Sequence, residues 1–320
     1  MRILPIILFL AFPAARAVSQ EQPGWKLVFH DEFDSAALNR DKWMDAYPWG
    51  RSICSTGELC YYTPGANYGF ADGALTLYTR KESIRAKAIE YEADDKALCD
   101  NRPNLRTFEY TSGMIYSKQE FLYGYFEIRF RVSKGRGLWP AFWLYGSDSD
   151  EIDVFELFGD ELDKIGTNIH YQGECMCHGR DIQLKNGKML SRQFNVMAVE
   201  WKPGLVIWFL NGDTIRTQAH DFTRPMHVIA NTSVDWKVGG QSKRKLRKMF
   251  PAAFEIDYIR VYQRDFPKGR QMGLHSIKAK WTPAKVLIGK SGNGLHRRAM
   301  APPKGTLPVV RKMAGKKHQQ

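Results

Sequence analysis

Between Tyr125 and Val132 the chain alternates without a break: Phe126, Ile128, Phe130 and Val132 share one parity, while Glu127, Arg129 and Arg131 share the other. A period of two marks a half-buried β-strand, because successive side chains leave a strand on opposite faces. The pattern returns in residues 74–79, where Leu75 and Leu77 fall on one face. It returns again from Val206 to Leu210, which runs into Asn211-Gly212, a pair that tolerates the positive φ of a tight hairpin. Residues 255–262 read as a closing strand. No long stretch carries the helical period and no repeat is present. Strands with one apolar face must cover it with another sheet, so the expected fold is all-β, a sandwich of two packed antiparallel sheets. Residues 25–262 suit one domain of that kind.

The ends differ in character. Arg2 precedes an apolar run from Ile3 to Phe12 and small residues ending Ala15-Arg16-Ala17, the layout of a secretory signal cleaved after Ala17. The run is shorter than the roughly 18 apolar residues of a membrane span. Residues 263–320 hold 14 Lys plus Arg against the single acid Asp265, whereas the rest of the chain balances 33 basic against 33 acidic residues. The basic excess therefore belongs to a tail and says nothing about the partner of the main domain. With no apolar period, the tail is expected to be disordered. We thus divide the chain into a signal peptide at 1–17, a main domain at 18–262 and a basic tail at 263–320. A secreted or periplasmic monomer is expected. Its polycationic tail would meet anionic polymers or an envelope surface, and export removes it from nucleic acid as a physiological partner.

Five cysteines remain after export: Cys54, Cys60, Cys99, Cys175 and Cys177. Cys54 and Cys60 are close enough to close a small loop. The Cys175-Met-Cys177-His178 cluster with His170 offers metal-ligand types, but no second Cys-rich half-site stands at the usual spacing. Loop cysteines are the better reading.

The chemistry concentrates in Glu151-Ile-Asp-Val-Phe-Glu156. Three acids at this spacing are weak evidence alone, and a solvated edge strand would carry them too. Here they alternate with Ile152, Val154, Phe155 and Leu157, and acids on so apolar a strand are costly unless a cleft uses them. Glu151 and Asp153 share a face; Glu156, five positions from Glu151, should point away. A β-bulge at Val154-Phe155 would bring it back. The spacing then becomes about 13 Å along the strand, and inward-leaning side chains bring the carboxyls to about 5–6 Å. That is the separation of a retaining glycosidase, in which one carboxylate attacks the anomeric carbon and the other handles protons. Asp153 lies between them, and three carboxyls so close cannot all ionise. Upstream, Trp139 and Trp143 offer rings on which sugars stack, with sandwich core as the other reading of Trp143. Asn168 and His170 follow, on one face by parity.

With these residues assembled, the chain resembles glycoside hydrolase family 16, which includes laminarinases, lichenases, agarases and κ-carrageenases. The likeness rests on Trp25-Lys-Leu-Val-Phe-His-Asp-Glu-Phe-Asp34, Tyr123-Gly-Tyr-Phe-Glu-Ile-Arg129, Leu138-Trp-Pro-Ala-Phe-Trp143, the bulged form Glu151-x-Asp-x-x-Glu156, and Asp257-Tyr-Ile-Arg-Val-Tyr262. It implies a concanavalin A-like jelly roll and a retaining, endo-acting mechanism. Nucleophile, assistant and acid/base then fall on Glu151, Asp153 and Glu156. Asn67, Trp139, Trp143, Asn168 and His170 match positions that line sugar subsites. The resemblance also implies a structural calcium on Asp257 and Glu32; the reaction itself requires no cofactor. Met114 stands where many laminarinases carry Arg, and Thr232-Ser233 replaces an aromatic platform unless Trp236 serves instead. The expected substrate is β-1,3 or mixed β-1,3/1,4 glucan. Alternatives are another polysaccharide, such as a galactan or anionic exopolysaccharide, which an inward Arg129 would favour; transglycosylation; or glucan binding without catalysis.

Overall fold

The computed structural model describes residues 24–264, apart from 54–55, 91–97, 100–101, 172–177 and 186–188. The signal peptide, all of the tail beyond Arg264, and Cys54, Cys175 and Cys177 lie outside the described residues. Gly124–Val132 sits inside a ten-stranded sheet, antiparallel to Asn195–Lys202 on one side and Ala252–Gln263 on the other. Phe126, Ile128, Phe130 and Val132 are buried and the intervening residues half-buried, as the alternation requires. Leu205–Leu210 and Asp213–Ala219 extend this sheet through a hairpin whose Asn211 and Gly212 take φ of 50° and 89°. Positive φ at both turn residues matches the twist of the flanking strands. Lys26–Asp31 and Ala74–Arg80 pair with successive parts of the long closing strand.

The second sheet has seven strands in the order Arg180–Gln183, Lys164–His170, Glu151–Glu156, Leu138–Gly146, Met226–Val234, Met114–Phe121 and Trp43–Met44. Pairing within both sheets is antiparallel, save for Tyr110–Ser112 beside Cys60–Tyr62. One continuous core fills the space between the sheets, with Phe130 stacked on Phe155 at 4.4 Å and Phe254 edge-on to both. A second apolar cluster lies on the other face of the seven-stranded sheet, where Ala141, Trp143 and Ile229 meet Tyr47, Cys60 and Tyr62. Cys60 in that cluster is a buried free thiol, 3.4 Å from Ser233 Oγ, so it closes no small loop with Cys54. Helices are few and short. Lys243–Met249, capped by Ser242, has seven residues, too few to display a helical period in the sequence.

The expected bulge is present. On one side Asp153 faces Trp143 and Phe155 faces Phe142; on the other, Asp153 faces Asn168 and Glu156 faces Gly166. Val154 is therefore extra to both ladders, and both it and Phe155 are buried in the core. Glu151, Asp153 and Glu156 emerge together on the outer face.

This register makes a deletion testable. Without Val154, Phe155 would face Phe142 and Thr167, Glu156 would face Ala141 and Gly166, and the three acids would keep one parity. We expect the Val154 deletion to fold, to lose about 1–3 kcal/mol of stability with its buried side chain, and to retain measurable turnover. Denaturant unfolding and rate measurements check this; a folded but wholly inactive deletion would contradict it.

Candidate active site

The acids sit on a strand held from both sides. Glu156 is flanked by Ala141 and Gly166, small neighbours that leave its carboxyl room. Trp139, two residues before Ala141 and on the same face, donates its Nε1–H to Glu156 Oε1 at 3.1 Å. Asp153 is flanked by Trp143 and Asn168, and Glu151 by Tyr145 and His170. His170 Nε2 lies 3.2 Å from Asp153 Oδ2, 3.9 Å from Glu151 Oε1 and 2.9 Å from Asn168 Nδ2. Ligand atoms of Glu151, Asp153 and His170 all fall within 4.8 Å of one another.

Crowding sets the proton affinities. Burial pushes the Glu156 carboxyl up, the charge of Asp153 adds to it, and His170 and the Trp139 N–H only partly offset them, leaving it at about 8. Glu151 is raised well above the carboxylate range by burial, then by the charge of Asp153 and a shared hydrogen bond with it. Burial opposes the charge on His170, yet its hydrogen bond and ion pair with Asp153 hold it above the usual histidine value. Such a cluster stores protons at neutral pH, as a site for acid catalysis must.

Residues 76–259 match the profile of glycosyl hydrolases family 16. The chain belongs to that family. It is 29% identical over 280 residues to a β-glucanase of Rhodothermus marinus, covering 77% of this chain and 87% of that protein. Its fold matches the laminarinase catalytic domain of Thermotoga petrophila with a TM-score of 0.62 at 26% identity, covering 76% and 99% of the two chains. It also matches a protein described among human gut microbiota endo-acting O-glycanases, with a TM-score of 0.63 at 25% identity over 76% and 92%.

Most of the residues singled out in the sequence meet on this family 16 face: Glu151, Asp153, Glu156, Trp139, Trp143, Asn168 and His170. Trp143 belongs to the outer cluster and not to the sandwich core; its Nε1–H donates to Asn231 Oδ1 at 2.8 Å. Asn67 does not line the face. It is fully buried, accepting from Thr63 Oγ1 at 2.7 Å and donating to Thr111 Oγ1 at 2.9 Å and the Tyr78 carbonyl at 3.2 Å. Both polar atoms of its side chain are engaged within the protein and it has no exposed surface, so no sugar hydroxyl reaches it. Arg129 is not inward either; it lies on the outer face of the ten-stranded sheet, paired with Asp257 and over the Phe194 ring. The calcium ligands expected from the resemblance are likewise answered by protein. Asp257 accepts from Arg129, and Glu32 takes two hydrogen bonds from Arg260 at 2.9 and 2.7 Å. A guanidinium already neutralises each carboxylate, so this arrangement does not fit a calcium site, and no step below uses one.

Three contributors were not legible beforehand. Trp208 reaches from the ten-stranded sheet through the core and donates to the backbone carbonyl of Asp153 at 2.9 Å. Its inward parity was readable; its partner was not. Arg216, nearly buried, lies over the Trp208 ring and donates to the Thr167 carbonyl and hydroxyl. Burial and the nearby Arg180 push it down to about 10, against the pull of Asp153. Glu58 is buried on the outer face, accepting from Ile53 N–H, from Tyr62 Oη at 2.9 Å and from Ser233 Oγ at 2.9 Å. Tyr62 Oη in turn accepts from Asn231 Nδ2 at 2.9 Å, which completes a chain from Glu58 to Trp143. Ser233 is therefore a strut in that chain.

Trp208→Phe keeps the ring but removes the donor. A buried carbonyl left unpaired costs about 1–3 kcal/mol, and the strand carrying the acids loses its tether. We expect a loss of that size in urea unfolding together with a fall in kcat. Unchanged stability would show that the carbonyl finds another partner.

Proposed function

We propose that the chain is a retaining endo-β-glucanase, cleaving β-1,3 or mixed β-1,3/1,4 glucan, with Glu151 as nucleophile, Glu156 as acid/base and Asp153 as the partner that tunes both. The observation that carries this reading is the pairing of Glu156, protonated at neutral pH and hydrogen-bonded by Trp139, with a second carboxyl group on the same strand face. The named glucanases among its relatives support the substrate class. An export signal at residues 1–17 would deliver the enzyme to where polymeric glucan is met.

In the first half-reaction Glu156 gives its proton to the glycosidic oxygen while a carboxylate oxygen of Glu151 bonds to the anomeric carbon. The C–O bond to the leaving sugar breaks, and a glycosyl ester on Glu151 remains. For this step Glu151 attacks as a carboxylate, and the His170 imidazole, 3.9 Å from Glu151 Oε1 and 3.2 Å from Asp153 Oδ2, stands beside the charge. In the second half-reaction Glu156, now a carboxylate, takes a proton from water. The water oxygen attacks the anomeric carbon, and Glu151 departs as carboxylate. Two inversions give net retention.

Glu151→Gln and Glu156→Gln should each lower kcat by roughly 10²–10⁴-fold without loss of fold, and Asp153→Asn by less. Proton NMR of early products should show the β-anomer first; an initial α-product would rule out double displacement. The pH dependence follows from Glu156. It serves as an acid only while protonated, so the basic limb of kcat/KM should fall as pH rises through about 8. A basic limb that stays in place in Glu156→Gln would assign it to another group.

A further inference from the structure

The chain leaves the acidic sheet at Val234 and joins the other sheet at Ala252, and the residues between build a surface that the chemistry above does not use. Its first part is the turn Trp236–Val238, pinned where Asp235 Oδ1 accepts from the Lys237 N–H at 2.7 Å. Trp236 is 73% exposed, far more than any other large hydrophobic residue among those described. The turn is adjacent to the acid: Lys237 Nζ lies 4.1 Å from the centre of the Phe158 ring, Phe158 stacks on Trp139, and Trp139 donates to Glu156.

The second part is the helix Lys243–Met249. Leu246, Met249 and the following Phe250 pack against the cluster that contains Trp143. Lys243, Arg244, Lys245, Arg247 and Lys248 are left exposed. This arrangement is unfavourable for the helix itself. Lys243 with Arg247, and Arg244 with Lys248, are like-charge pairs four residues apart. Three cations occupy the first turn, where the helix dipole favours anions, and no acid sits there. Among the described residues no carboxylate comes within ion-pair distance of the five. Outside residues 263–320 the chain is charge-balanced, so these cations are segregated to one place and are not the by-product of a basic domain.

Between helix and sheet lies a cavity of about 270 Å³ lined by Lys81, Leu246, Arg247 and Phe250. Lys81 sits over the Tyr110 ring at 4.8 Å, with Glu109 4.0 Å away. Cations thus stand on both sides of a space with an apolar floor.

We propose that this rim binds an anionic polysaccharide: acidic substituents of a glucan chain lying on the acidic face engage Lys81, Arg247 and the neighbouring helix cations, with a sugar ring on Trp236. The proposal rests on the reading of that face as glucan-cleaving, and gives its substrate a charge. A lipid surface fits less well, because the apolar side chains of the helix point inward and Trp236 alone is offered for insertion. A polymer held beside Glu156 has the Trp236–Val238 turn as its neighbour, through Trp139, Phe158 and Lys237.

The test compares carboxymethylated and unmodified β-1,3-glucan as substrates for the full-length chain, wild type and the quadruple variant Lys243→Gln, Arg244→Gln, Arg247→Gln, Lys248→Gln. Lys81→Gln serves as a second, single variant. At low salt the quadruple variant should raise KM for the carboxymethylated polymer by about tenfold or more, while hydrolysis of unmodified glucan, which also reports folding, stays at the wild-type level. Adding salt to the wild type should erase the same difference. The basic tail is present in every protein, so it cannot produce the contrast. A KM ratio unchanged by both variants overturns the proposal, as does an equal rise for both polymers. Loss of binding to anionic phospholipid vesicles with no change in polymer KM overturns it in favour of a membrane. Failure of the wild type to cleave unmodified glucan would instead count against the function proposed above, and retention of the carboxymethylated polymer would still report on the rim.

Discussion

The carbonyl of Asp153 points into a dry core, and the arrangement of the acidic face depends on how it is satisfied. A bulge carries an extra residue past both neighbouring strands, and a backbone group turned out of the ladder needs a partner where water cannot follow. Trp208 supplies it from the opposite sheet. The same indole is roofed by Arg216, whose guanidinium continues to the Thr167 carbonyl on the strand beside the acids. One hydrogen bond through the core therefore fixes the irregularity, and the irregularity brings Glu156 to the face of Glu151.

Electrostatically, the face is organised by unequal surroundings. Trp139 reaches Glu156, while His170 serves the Asp153 and Glu151 end. The Glu156 carboxyl has a neutral indole donor beside it, and the other two carboxyls stand next to an imidazole. Arg216 adds positive potential from behind without touching the open face. Each side chain in this arrangement is held by at least one further contact, as preorganised charge stabilisation demands.

Much of this was legible in the sequence because period-two alternation reports burial directly. The Phe126 to Val132 parity follows from which face must be dry, the Asn211-Gly212 hairpin from tolerance of positive φ, and the bulge at Val154-Phe155 from bringing Glu156 to the face of Glu151. Asn67 was misplaced because a polar residue between strands reads the same whether it meets sugar or buried threonines. Asp257 and Glu32 were misplaced for a related reason: a carboxylate in a pattern does not say whether its counter-charge is an ion or an arginine. Glu58 gave no signal, since burial of an acid depends on Tyr62 and Ser233, four and 175 positions away.

The pairing of Lys26 with Gln263 has a temporal meaning. The first strand of the larger sheet lies against the last, and Ala74–Arg80 shares that same partner. Until residue 263 has left the ribosome, the sheet lacks the strand that three others require. Contacts of such sequence separation close slowly, because the loop entropy is lost before the pairing compensates it. A nascent chain of this design stays open through most of its synthesis. Final closure of the larger sheet therefore falls at the very end of synthesis, when its two chain ends first meet.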